Sequence, residues 1–82
     1  MVGRRSAHLG RMNQRRANEL QQLANRSEVA AWELAQNADD LESQGYNEAA
    51  ATLRHQARTC RVNAICFRAL AGGLIYMSLA RS

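Results

Sequence analysis

The chain has 82 residues, a formal net charge of +4 and no proline. A chain of this length forms one domain at most, and so small a core is often completed by self-association. Abundant alanine and scarce β-branched residues favour helix throughout, so the sequence predicts an all-α fold and excludes a sheet-based enzyme fold.

The charges follow the order basic, acidic, basic along the chain. Residues 1–26 carry six arginines and one glutamate, residues 27–49 carry six acids and no base, and residues 50–82 carry five arginines and no acid. Because such segments neutralise each other inside a fold, the net charge alone does not predict nucleic-acid binding.

The first predicted element is a basic flexible arm at residues 1–10, where Gly3, Ser6 and Gly10 weaken helix formation. Residues 11–82 are predicted to form a single helical-hairpin domain. Its first helix begins between Ser6 and Arg11 and ends near Ser43.

A seven-residue repeat runs through this first helix. Its small a positions are Ala17, Ala24, Ala31 and Ala38, and its d positions are Leu20, Ser27, Leu34 and Leu41. This spacing is typical of an antiparallel or parallel coiled-coil seam. A break near Asn25–Ser27, with Asn25 as N-cap, would give three helices instead of two. We favour one helix because the repeat passes Ser27 without a change of phase.

A turn and a second helix follow. Gly45 suits the left-handed conformation just after a helix, and Asn47 is the predicted N-cap of a helix that begins near Glu48. The glycine pair Gly72–Gly73 is expected to kink or end that helix. The repeat continues with a positions Ala50, Ala57, Ala64 and Ala71 and d positions Leu53, Cys60, Phe67 and Leu74.

Folding the chain at Gly45 aligns the two repeats. Each a residue of one helix then faces a d residue of the other. The two residue numbers of every such pair add up to 91, as in Leu34 with Ala57. Seven of the eight layers match one alanine to one larger side chain, which permits close helix packing. Glutamates at e positions of the first helix also face arginines at e positions of the second, so we expect Glu42 to pair with Arg54, and Glu28 with Arg61 or Arg68.

Several large apolar residues remain outside this seam and predict an interface. The predicted protein-interface residues are Leu23, Val29, Trp32, Ile65, Leu70, Tyr76 and Met77. A second copy, another protein or a membrane would cover them. The membrane is the weakest of the three, because the apolar run 69–80 is shorter than the roughly 20 residues that span a bilayer.

A cluster of arginines near the N-terminus supports an alternative. Its members are Arg4, Arg5, Arg11, Arg15 and Arg16. Such a cluster contacts nucleic-acid phosphates or an acidic protein, or simply keeps a small apolar protein in solution. Nucleic-acid binding therefore stays an alternative.

The sequence contains no spacing typical of catalysis, of a metal site or of a cofactor site. Cys60 and Cys66 lie on different faces of one helix and are expected to be free, buried thiols in a reducing cytoplasm. The sequence thus predicts a small non-enzymatic protein, a homodimer that binds a protein partner to modulate or inhibit it. A nucleic-acid-binding dimer is the alternative.

Overall fold

Two helices make up the fold. The computed structural model describes the backbone of residues 2–81 and the side chains of residues 10–77, 79 and 80. Helix α1 spans Val2–Ser43 and helix α2 spans Asn47–Arg81. They pack against each other as a hairpin 66 Å long, and no strand occurs in residues 2–81. The predicted all-α hairpin is therefore confirmed for the single chain.

The turn ends α1 in a Schellman motif. The Tyr46 amide donates to the Leu41 carbonyl at 2.9 Å, and the Gly45 amide donates to the Glu42 carbonyl at 3.0 Å. These two bonds satisfy carbonyls that the last turn of a helix leaves unpaired. Gly45 adopts a φ of +90°, which side chains with a Cβ rarely tolerate. The predicted role of Gly45 is confirmed.

The start of α2 differs from the prediction. The Tyr46 carbonyl accepts the Ala50 amide at 3.0 Å, so Tyr46 is the N-cap and Asn47 is the first helical residue. The prediction that Asn47 caps the helix is wrong. Because the Schellman motif already holds Tyr46 just outside α1, its carbonyl is the first that can accept a helical bond.

Both helices run through the predicted weak points. Helix α1 is continuous across Asn25–Ser27, so the three-helix alternative is wrong, and α2 continues through Gly72–Gly73. Helix α1 begins at Val2, earlier than the predicted start. A helical glycine costs only about 1 kcal/mol, too little to stop a helix that packs on its neighbour. The flexibility of residues 1–10 stays a prediction, because the side chains of residues 1–9 lie outside the described ones.

The core consists of the small a positions. All eight alanines are 0–1 % exposed: Ala17, Ala24, Ala31, Ala38, Ala50, Ala57, Ala64 and Ala71. The eight d residues are only half-buried, and no large side chain is fully buried among residues with described side chains. The hairpin by itself therefore leaves its larger apolar residues partly in contact with water.

Candidate interaction surfaces

The seven-residue repeat divides the hairpin surface into two long sides. In an antiparallel pair the e positions of both helices meet on one side of the seam, and the g positions meet on the other. We call the first, with the neighbouring b positions, the e/b side. We call the side where the g positions meet the d/g side, because each d position lies next to a g position around the helix.

Ion pairs connect the two helices on the e/b side at two heights along the hairpin, which we call levels. Arg54 contacts Asp39 at 3.0 Å and also pairs with Glu42. Fourteen residues further along each helix, Arg68 pairs with Glu28 and donates to Asn25 at 3.3 Å. The predicted Glu42–Arg54 pair is confirmed. Of the two partners predicted for Glu28, the structure shows Arg68 and not Arg61.

These pairs shift the ionisation of their members. The hydrogen bond from Arg68 lowers the pKa of the Glu28 carboxyl group and raises the pKa of the Arg68 guanidinium. Hydrogen bonds to Glu42 and then to Asp39 raise the pKa of Arg54. Because all these groups are exposed to water, the pairs fix the helix register more than they stabilise the fold.

The level between the two ion-pair clusters lacks an acid. Arg61 lies seven residues after Arg54 on α2. The residues seven before Glu42 and Asp39 on α1 are Ala35 and Trp32, so these two lie opposite Arg61. No acid pairs with Arg61 or with the nearby Arg58 in the part of the chain whose side chains are described. Ala35, Arg58 and Arg61 instead line an open groove of about 210 Å³.

Trp32 adds an exposed aromatic surface at this level. Its residue surface is 64 % exposed, and Ile65 across the hairpin is exposed to a similar extent. The repeat sets this exposed tryptophan at the level of arginines that have no acidic partner among the described residues, and tryptophan and arginine are the residue types that dominate binding energy at protein interfaces. The e/b side therefore has one level suited to contact with another protein.

The d/g side has a different character. Leu20, Leu70, Leu74 and Met77 line a groove of about 490 Å³ there, together with Ala69, Gly73 and Arg16. The c, d and g positions of α2 contain no charged residue between residues 49 and 80. An uncharged strip along a surface helix is typical of a face that is covered by another molecule.

The structure distributes the predicted interface residues over both sides. All seven are exposed in the single chain, and their role in an interface stays a prediction: Leu23, Val29, Trp32, Ile65, Leu70, Tyr76 and Met77. Leu23, Leu70 and Met77 lie on the d/g side, Trp32 and Ile65 lie on the e/b side, and the other two point away from the seam. They therefore form two separate surfaces and an outer face.

Four other large apolar residues are exposed and were not predicted as interface residues. They are Met12, Tyr46, Val62 and Leu79. Each belongs to a b, c or f position or to the turn, where the repeat gives no expectation of an apolar residue. Only their hydrophobic identity could have indicated them.

The arginine cluster is partly described. Arg11, Arg15 and Arg16 lie nine to fourteen residues after the start of α1, and their described side chains are exposed. None of the three forms an ion pair with a described residue. The other two predicted contacts, Arg4 and Arg5, lie outside the described side chains. The three described arginines point to the b, f and g positions, so they surround one end of the helix rather than form a single row.

Little in the described residues suggests chemistry. Cys60 is half-buried and Cys66 is exposed, both as free thiols, so the prediction of burial is wrong for Cys66, whose c position faces outward. The described residues contain no group of three potential metal ligands, and neither helix has, within its described part, a stretch long and apolar enough to cross a membrane. No family model, no curated protein and no solved structure matches the chain.

Proposed function

We propose that this chain is a small non-enzymatic interaction protein that self-associates and binds a second protein, which it modulates or inhibits. The observation that carries the proposal is the incomplete core. Among the residues with described side chains the hairpin fully buries only alanines, and the d residues stay half-exposed on a side where α2 has no charge between residues 49 and 80. Full burial of one leucine or phenylalanine contributes about 1.5–3 kcal/mol, so covering the d row is strongly favourable.

The two sides of the hairpin suit two different contacts. The d/g side is long and repetitive, and its α2 part has no charge between residues 49 and 80, as expected for contact with another copy. The e/b side offers a single level, with exposed Trp32 beside Arg58 and Arg61, where the neighbouring levels are closed by ion pairs. A partner with an acidic residue next to an apolar one would complement it. We place this protein in the cytoplasm as part of the same proposal, in agreement with its two free thiols.

Sedimentation and affinity capture test the proposal together. We expect the sedimentation-equilibrium mass to be twice that of one chain. We expect a protein captured from the native host to bind Trp32→Ala at least about 30-fold more weakly, the effect of removing a central interface residue. Val62→Ala is the matched control, because Val62 is exposed on the outer face of α2. A stable monomer that captures no Trp32-dependent protein would refute the proposal.

A second candidate rests on the arginines at the open end. Arg11, Arg15 and Arg16 are exposed and have no acidic partner among the described residues. Nucleic-acid binding through them predicts an affinity for RNA or DNA that falls steeply with salt and disappears when all three become alanine. Fluorescence anisotropy at low salt decides this, since the absence of binding there eliminates the candidate.

A further inference from the structure

The d/g side is large enough for a stable interface. The hairpin is 66 Å long. A strip about 12 Å wide along this length supplies the roughly 800 Å² per partner that stable complexes bury. One helix with its side chains is already about 10–12 Å across, and the d/g side spans two helices. A second copy of the chain can therefore bury enough surface without using either end of the hairpin.

The charges divide the hairpin into halves of opposite sign. The turn half, residues 27–64, carries six acids and three arginines, a net charge of −3. The open half, residues 1–26 and 65–82, carries eight arginines and one acid, a net charge of +7. The two halves together account for the net charge of +4. The hairpin is thus a long electric dipole.

This division distinguishes two symmetric arrangements. A parallel pair of hairpins sets +7 beside +7, whereas an antiparallel pair sets each +7 beside −3. Neighbouring helices lie about 8–10 Å apart, within one Debye length of about 10 Å at 0.1 M salt. Charges across the interface therefore interact, while charges at opposite ends of the 66 Å hairpin are screened from each other. The antiparallel arrangement is the favoured one.

The location of the one charged g residue also favours the antiparallel arrangement. Arg16 is the only charged g residue between residues 16 and 77, and it is exposed at the open end. When the eight layers of two antiparallel hairpins overlap fully, residue 16 comes level with residues 40–42 of the second copy. Asp40, an exposed acid, lies there. A parallel pair would instead bring each Arg16 level with the other.

We infer that a second copy of this chain covers the d/g side in antiparallel orientation. Each turn then lies against the open end of the other copy, and the four helices form one bundle. The inference rests on the proposed self-association and adds its surface and its direction. The amides at g positions of the turn half, such as Asn37, Gln56 and Asn63, lie along this interface, where such groups favour one register over others.

Distances between spin labels test the orientation. Ser43 and Tyr76 both lie at outward f positions, fourteen residues from the middle of the layers in opposite directions. Each is replaced by cysteine, Ser43→Cys or Tyr76→Cys, in a chain that also carries Cys60→Ala and Cys66→Ala. With 1.5 Å of rise per residue, we expect about 45 Å or more between two labels at residue 43, or between two at residue 76. A mixture of the two variants should show about 25 Å between residue 43 and residue 76.

The outcomes separate the inference from the proposed function. Circular dichroism first establishes that both labelled variants are helical, and sedimentation equilibrium establishes that they are dimers. Long distances for the matched labels and a short one for the mixture support the antiparallel bundle. A dimer with the reverse pattern overturns the orientation and leaves self-association intact. A helical monomer at the labelling concentration overturns both.

Discussion

Replacing Ala57 by leucine is expected to destabilise the hairpin by about 1–3 kcal/mol, the usual cost of adding carbons to a packed core. Ala57 is 1 % exposed, and the repeat predicts that it faces Leu34. A second large side chain in this layer forces the helices apart along their closest approach. A core of this size seldom contributes more than about 3–5 kcal/mol, so the loss is a large share of the total.

Thermal unfolding followed by circular dichroism measures this effect. We expect a midpoint about 5–20 °C lower for Ala57→Leu than for the unmodified chain at equal protein concentration. Ala51→Leu is the control, because Ala51 is exposed on the same helix and leucine is a comparably good helix former there. Equal midpoints for the two variants would show that the a positions do not form the closest contact.

Placing a carboxylate on the d/g side is expected to abolish self-association. Leu70 is 58 % exposed in the single hairpin and borders the groove that also contains Met77. If a second copy covers this side, Leu70→Asp buries an unpaired charge, which costs several kcal/mol. We therefore expect dimer affinity to fall at least roughly 100-fold, while the hairpin itself stays helical.

Sedimentation equilibrium compares this variant with Val62→Asp. Val62 is 56 % exposed, nearly as much as Leu70, but lies on the outer face of α2. The control therefore adds the same charge to the same helix away from the d/g side. We expect the mass of a single chain for Leu70→Asp and a dimer for Val62→Asp. Dissociation of Val62→Asp with retention of a Leu70→Asp dimer would place the interface on the outer face.

The architecture was predictable because one local rule repeats along both helices. Alanine at the eight a positions from Ala17 to Ala71 and Gly45 at the turn predict two helices and their register. The repeat also placed Glu28 and Glu42 on the flank that faces α2, and the structure shows both pairs. The end of the turn was less predictable, since Asn47 has the side chain preferred at an N-cap, whereas the bonds of the Schellman motif place Tyr46 at that position.

The surfaces were predictable only in part. The sequence identifies apolar residues outside the seam, yet their grouping depends on which helix face each occupies after folding. Trp32 and Leu70 were predicted together and lie on different sides of the hairpin. The missing acid opposite Arg61 could have been found from the sequence, because Ala35 occupies the e position where Glu28 and Glu42 pair with arginine in the neighbouring repeats. Partner identity has no comparable local rule.

The incomplete core links the fold to the proposed function. Alanine at the eight a positions from Ala17 to Ala71 brings the helices together, and the same choice leaves no fully buried large residue among the described side chains. The d residues then depend on another molecule for full burial. We therefore expect substitutions that destabilise the single hairpin to lie in the a row, and substitutions that weaken self-association to lie on the d/g side.

The alignment of the two repeats can be measured directly with the native thiol at residue 60. Ala31 should face Cys60, so Ala31→Cys, combined with Cys66→Ala, is expected to form a disulfide within one chain on mild oxidation in dilute solution. Val29→Cys in the same background is the control, because Val29 points outward. Mass spectrometry distinguishes the two chains. An intrachain disulfide for residue 31 alone is the predicted result; its absence there, or its equal formation at residue 29, would contradict the packing of each alanine against the larger residue opposite.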